Sequence, residues 1–335
     1  IVTGGPGAVF WMWVIAFIGT ATGFVESTLA QIYKIPRGYG LFHGGPAYYI
    51  QNALGQPTVA KLFAVLISVT FGLIYVSVQA NTIALSMEKA FGIETWVMGV
   101  VLAVLAGAVI FGGIHRVASL SAFLVPIMAG IYLLIALIII ILHMDAVPAM
   151  FALILHDAFS PQAAVGGGIG TAVLTGIRRG LFSNEAGEGS IPNAAATANV
   201  THPVKQGLVQ AFGVYVDTWI VCSATAFIVL LTGQYTIGGD TTGIALAQDS
   251  LASVFGPWAS SLLAVLIFLF AFSSVVGNYY YGEINIHFIT KNTQRALSVY
   301  RLAVVAMVFF GCVAAFGLVW NLADLFMAMI CLTNL

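Results

Sequence analysis

Arg178, Arg179, Glu185 and Glu188 fall within eleven residues of one another in the stretch GIRRGLFSNEAGEGS, 176–190. Acids and bases at that spacing can form an ion-pair network, either a gate that opens and closes or a static tie to neighbouring segments. Other polar residues sit alone in apolar sequence. Asp217 lies twelve residues past Lys205, about 18 Å along a helix at about 1.5 Å per residue, which is mid-membrane if the segment spans. An acid at that depth is a candidate sodium ligand, proton carrier or arginine partner; its plainer role is an ion pair or a protonated, hydrogen-bonded acid. Gln79 and Asn81 are amides able to bond a substrate carboxylate or amine, or to bond across helices. Ser273 and Ser274 offer the oxygen ligands that hard cations prefer, or a small-residue packing contact. Asn278 follows Ser274 by one turn on the same face.

The elements that would position these residues belong in a membrane. The chain of 335 residues is 60% hydrophobic and 7% charged, against roughly 25% charged in soluble domains, and its mean hydropathy is +1.02. The net charge of −1 gives no reason to expect nucleic acid or a polybasic membrane anchor. Cys222, Cys312 and Cys331 all lie in apolar spans and read as packed thiols, with no metal-ligand spacing. No leader with a cleavage site is visible. An intramembrane enzyme is disfavoured because HExxH and GxSxG are absent and the GGD at 238–240 falls in a loop. A channel would need subunit rings or a filter-like loop, whereas scattered single polar residues suit an occluded pocket.

A spanning helix needs about 20 mostly apolar residues. Eight spans and a partial ninth are expected, roughly at 8–30, 60–83, 95–114, 120–142, 162–190, 206–232, 258–286, 299–319 and 322–335. The ninth reads as too short to cross. The chain starts without Met and stops in an apolar run, so it reads as an internal fragment of a transporter-sized protein. If the segment after the first span is cytoplasmic, Lys34, Arg37, Lys61, Arg116, Arg178, Arg179, Lys205, Lys291, Arg295 and Arg301 lie at cytoplasmic ends. Only Lys89 then lies opposite, a strong positive-inside bias. Glu26 and Glu283 fall near cytoplasmic span ends and read as structural.

The fifth span is different. Gly166, Gly167, Gly168, Gly170, Gly176, Gly180, Gly187 and Gly189 fall within 24 residues, with Thr171 and Thr175 among them. Close packing is one account. A discontinuous helix is the other, and unwound backbone in a membrane must be buried or line a cavity. Transporters bind substrate and ions at such breaks.

Six segments carry a resemblance to the sodium:alanine (alanine or glycine:cation) symporter family. They are GGPGAVFWMWVIAFIG at 4–19, HGGPAYYI at 43–50, SVQANTIA at 77–84, GIRRGLFSNEAGEGSIPNAAA at 176–196, HPVKQGLVQAFGVYVDT at 202–218 and FAFSSVVGNYYYGE at 270–283. The resemblance implies an all-α integral membrane protein of the LeuT-like inverted-repeat type. Residues 1–142 would be the remainder of the first repeat and 162–335 the second, with the first core helix upstream and the C-terminal end missing. It implies sodium-coupled uptake of a small neutral amino acid, alanine or glycine, across a prokaryotic plasma membrane by alternating access, with no cofactor beyond the coupling ion. Ser273 and Ser274 become sodium ligands by resemblance. Gln79, Thr171, Thr175, Gly176 and Asn278 become substrate contacts, and Arg178, Arg179, Glu185 and Asp217 the gating or ion-pair network. Many members carry Trp where this chain has Asn278, so its pocket is wider and glutamine becomes a possible substrate. Proton coupling through Asp217 is the other alternative.

Overall fold

The computed structural model describes residues 1–38, 41–112, 114–160, 170–290 and 293–335; Gly166, Gly167, Gly168 and Lys291 lie outside them. Helix α1 (Ala8–Ile32) starts where the Gly7 N–H donates to Asp157 Oδ2 at 2.7 Å, satisfying one of the N–H groups that a helix start leaves free. The following linker holds an antiparallel hairpin, β1 (Ile35–Gly38) with β2 (Leu41–His43), and the short helix α2 (Pro46–Leu54). Helix α3 (Pro57–Val69), a π-helical turn (Thr70–Tyr75) and α4 (Val76–Phe91) run on as one 35-residue span. Then come α5 (Thr95–Gly112), α6 (Ile114–Leu142) and the short α7 (Val147–Ala158).

The chain resumes as α8 (Thr171–Asn184), loses helical form, and regains one turn in α9 (Ile191–Ala195). Helix α10 (Pro203–Tyr215), a second π-helical turn (Val216–Cys222) and α11 (Ser223–Thr232) form the next rod. Helix α12 (Gly243–Phe255) fills a linker before α13 (Pro257–Thr290), α14 (Gln294–Val313) and α15 (Phe316–Asn334).

Eight helices among the described residues are long and apolar enough to cross a membrane. Their outward faces carry large apolar side chains such as Phe17, Phe123, Leu134 and Phe212, as expected where lipid rather than water is the solvent. The expected eighth and ninth spans are corrected. The break between them falls at Ala314 and Ala315, both extended, so α15 has 19 residues and is a full candidate span. No turn residue marks that break, because the sequence there is apolar on both sides.

Helix α1 packs along α8 and α10, and α13 packs on α4. Buried Tyr75, Phe71 and Phe63 fill the centre between α3, the first π turn and α15. Val76, Ala80, Val275 and Tyr279 join α4 to α13.

Candidate functional site

Helix α8 runs parallel to α1 and touches it through glycine. Gly176 lies on the Ala8 carbonyl and Trp11, and Gly180 on Ile15. A Cβ at Gly176 would collide with that carbonyl, so the close approach requires glycine. Further along, Gly19 meets Ala186 and Gly44 meets Ala196. The α8–α9 segment therefore descends with α1 from its Ala8 end to its Ile32 end.

That register corrects the placement of Arg178 and Arg179. They sit level with Trp11 to Ile15, near the Ala8 end, and not at the cytoplasmic end to which the positive-inside count assigned them. The expected discontinuous span of 162–190 puts them just past its middle. In the structure α8 begins only at Thr171, and the lower half of the element is the unwound part with α9. Lys34, Arg37, Lys61, Lys205, Arg295 and Arg301 do belong to elements that start or finish beside the Ile32 end.

The partner of the arginines also differs from expectation. Arg179 Nη2 bonds Asp324 Oδ1 of α15, and Arg178 Nη1 lies 3.6 Å from Asp324 Oδ2. The Arg179 guanidinium also stands 4.4 Å over the Trp320 ring, and Phe182 lies between Trp320 and Tyr75 with its ring tilted to both. Glu185 is out of their reach: it is six residues past Arg179, about 9 Å along the axis, and turned away. Asp324 was missed. The signal was available, since an acid in an apolar span asks for a partner just as Asp217 does.

The helix is broken at Glu185–Ser190. Glu185 has φ 56°, Gly187 φ 93° and Gly189 φ 76°. Left-handed backbone costs a non-glycine residue about 1 kcal/mol, so Glu185 is held there by its surroundings. Its N–H donates to the Leu181 carbonyl at 2.8 Å, and its carboxylate accepts from Ser190 Oγ at 2.6 Å. Asn184 Oδ1 accepts the Ala186 N–H. Side chains from three other elements then hold the unwound backbone. Glu26 of α1 accepts the Gly187 N–H at 3.2 Å, and Asn334 of α15 donates to Glu26 Oε2 and to the Gly187 carbonyl. Tyr75 of the first π turn donates to Glu188 Oε2 at 2.9 Å. Glu26 and Glu188 are 3% and 0% exposed, and among the described residues no ion pair involves either of them or Glu185.

Asp217 lies in the second π turn, where it accepts from Ser183 Oγ at 2.7 Å and Thr218 Oγ1 at 3.1 Å. It braces the lower end of α8 through hydroxyls. Thr175, Gly176 and Arg179 border a cavity of about 280 Å³ between α1, α8 and α11. Thr171 is exposed one turn above it. Gln79 is half-buried on α4 and Asn278 buried on α13. These two helices pack together, so the expected substrate contacts form two groups. Ser273 and Ser274, also on α13, both donate to the Phe270 carbonyl, at 2.7 and 3.2 Å. Asn81 bonds the Gly311 and Ala314 carbonyls at 2.9 Å each, the interhelical role. At the Ile32 end Glu283 joins Arg301 and His287, and His287 stacks on His43.

A helical membrane bundle with one member interrupted at its buried centre, and acids lining the interruption, has the form of a transporter. Comparison makes this specific. The sequence matches the sodium:alanine symporter family over residues 1–335, and the chain belongs to that family. It is 54% identical over its whole length to the amino-acid carrier protein AlsT of Bacillus subtilis (strain 168), covering 71% of that protein. It is 51% identical, again over all of this chain and 70% of the relative, to the probable sodium/glutamine symporter GlnT of the same organism. The sodium/alanine symporter AgcS of Methanococcus maripaludis is 36% identical, over all of this chain and 74% of the relative. The chain is thus a sodium-coupled amino acid symporter and not an enzyme, with a multi-pass place in the prokaryotic inner membrane.

Proposed function

We propose that this protein takes up a small neutral amino acid with sodium by alternating access, in a LeuT-like bundle whose repeats are residues 1–142 and 162–335. The observation that carries this reading is the buried break at Glu185–Ser190, because unwound backbone inside a bundle is where such transporters hold substrate and ion. Ser273 and Ser274 serve the sodium ion: each hydroxyl hydrogen goes to the Phe270 carbonyl, leaving oxygen lone pairs for a hard cation. Gln79, Thr171, Thr175, Gly176 and Asn278 are the substrate contacts, with Thr175 and Gly176 on the cavity and Gln79 and Asn278 on the α4–α13 pair.

Arg178 and Arg179 form a latch with Asp324 that ties α8 to α15. Glu185 and Asp217 brace the segment below it. Alanine and glutamine are the two substrates to weigh, since relatives named for each lie close in sequence and Asn278 leaves more room than Trp would.

The test is uptake of labelled alanine into proteoliposomes with and without an inward sodium gradient, with unlabelled glycine, alanine, serine and glutamine as competitors. Sodium-stimulated uptake is expected, with glutamine among the effective competitors. Uptake driven by a proton gradient alone would overturn sodium coupling and turn attention to Asp217.

A further inference from the structure

A cavity of about 350 Å³ lies beside the hairpin at the Ile32 end, away from the break and from the expected substrate contacts. Two histidines line it: His43 from the end of β2 and His287 from the last turn of α13. Their rings stack with centroids 5.9 Å apart. His43 is 6% exposed. Its Nε2 and both ring nitrogens of His287 are sealed from solvent and meet no hydrogen-bond partner among the described residues. Buried polar groups are nearly always bonded, so three such nitrogens in one place ask for a ligand. The charged groups facing them are Glu283, whose Oε1 lies 3.6 Å from His287 Nε2 and accepts from Arg301, and Arg37, which is exposed on β1. Gln51 and Asn52 line the same cavity and are exposed, so an ion can enter beside them.

A neutral imidazole nitrogen is a good ligand for late divalent transition metals such as zinc. Sodium, like other hard cations, prefers oxygen, so this is not a place for the coupling ion. An organic anion would want charged imidazoles, and burial keeps the His43 ring neutral. The Glu283 carboxylate beside Nε2 of His287 favours the proton on that nitrogen and leaves Nδ1 to donate, the carboxylate–histidine arrangement that orients metal ligands. Among the described residues no three acid, histidine or cysteine side chains gather as a metal site. The ion therefore has two protein ligands, and water fills the other positions, which suits a reversible site and not a structural one. We propose that His43 and His287 bind a late divalent transition metal ion, zinc being the type, and that the bound ion stops transport by tying the hairpin to α13. Two residues past His43, Gly45 lies against Asn193 Oδ1 of α9, and that oxygen accepts from Asn285 of α13 at 3.0 Å. The hairpin, the resumed end of the broken segment and α13 thus meet at one place, and a metal across the two imidazoles fixes them together. The inhibition rests on the symporter reading above; the metal site does not.

Two readouts test it. The first needs no transport: zinc bound by the detergent-solubilised protein is measured by competition with a chromophoric chelator. At micromolar zinc the parent is expected to bind one ion per chain more than His43→Phe or His287→Phe, each of which keeps an aromatic ring in the stack. The second is sodium-driven alanine uptake into proteoliposomes with micromolar zinc on both faces. Zinc should lower the parent's initial rate several-fold, and EDTA should restore it. Both variants should match the parent without zinc and keep their rate with it. If one variant does not fold, the other decides the matter. Equal zinc binding by parent and variants overturns the site. Zinc held through the two histidines with no loss of uptake overturns the inhibition. Histidine-dependent zinc binding in a parent with no sodium-driven uptake of any amino acid, zinc being absent, overturns the symporter reading and leaves the metal site standing.

Discussion

Two charged regions of this bundle are matched in opposite ways. Near the Ala8 end, Arg178 and Arg179 share Asp324, and the Arg179 guanidinium also covers Trp320. At the break, Glu26, Glu185 and Glu188 are held by amides and hydroxyls, with no cation paired to them among the described residues. The first region is nearly complete as it stands, so it can act as a strap between α8 and α15. The second is short of positive charge among the described residues. The same segment supplies both: Arg178 and Arg179 on α8 and the unwound backbone that follows it.

The largest effect should come from the break. Glu26 holds one backbone N–H and one amide, and each buried donor left unsatisfied costs about 1–3 kcal/mol. Glu26→Ala is expected to lower stability by about 3 kcal/mol in denaturant titrations of the detergent-solubilised protein. A loss under about 1 kcal/mol would show that the break does not depend on α1.

The strap should matter less, because Arg178 and Arg179 keep 46% and 33% of their side chains exposed. Asp324→Asn is expected to cost about 2 kcal/mol, and Arg179→Gln added to it should cost little more, the non-additivity that marks a direct pair. If the strap also gates, Asp324→Asn changes the maximal uptake rate more than the apparent substrate affinity. Unchanged kinetics with lowered stability would leave a static tie.

The smallest effect lies outside both regions. His43, in the hairpin after α1, is 6% exposed, and burial, with help from the Arg37 and His287 charges, holds its pKa down at about 4 against an ordinary 6.5. The unfolded chain takes up this proton first, so the contribution of His43 is whole above pH 6.5 and is lost as pH falls toward 4. His43→Phe, which keeps a ring on His287, should flatten that part of the stability profile. An unaltered profile would assign the pH response to another group.

Much of this was legible in the sequence, for reasons that differ by element. Long apolar runs fixed most spans, because membrane thickness leaves little freedom in helix length. The interruption of the fifth span was legible from its glycines, and its position was not: Gly176 and Gly180 turned out to be contacts with α1, while Gly187 and Gly189 carry the unwound backbone. Depth was the main casualty. Where Arg178 and Arg179 sit depends on where α8 begins and what it packs on, which are tertiary facts. Glu26 read as structural, and its hold on Gly187 needed α1 and the break to be seen together.

The most direct test of the break as the working centre is sodium-driven alanine uptake by Gly187→Ala, compared with Asp324→Asn at equal amounts of folded protein. Gly187 has φ 93°, with only ordinary contacts at 3.5 Å or more for an added Cβ, so the change acts on the backbone conformation and not on space. Gly187→Ala is expected to lose nearly all uptake while Asp324→Asn retains a measurable rate. Uptake by Gly187→Ala at the parent's rate would contradict the central place given to the break.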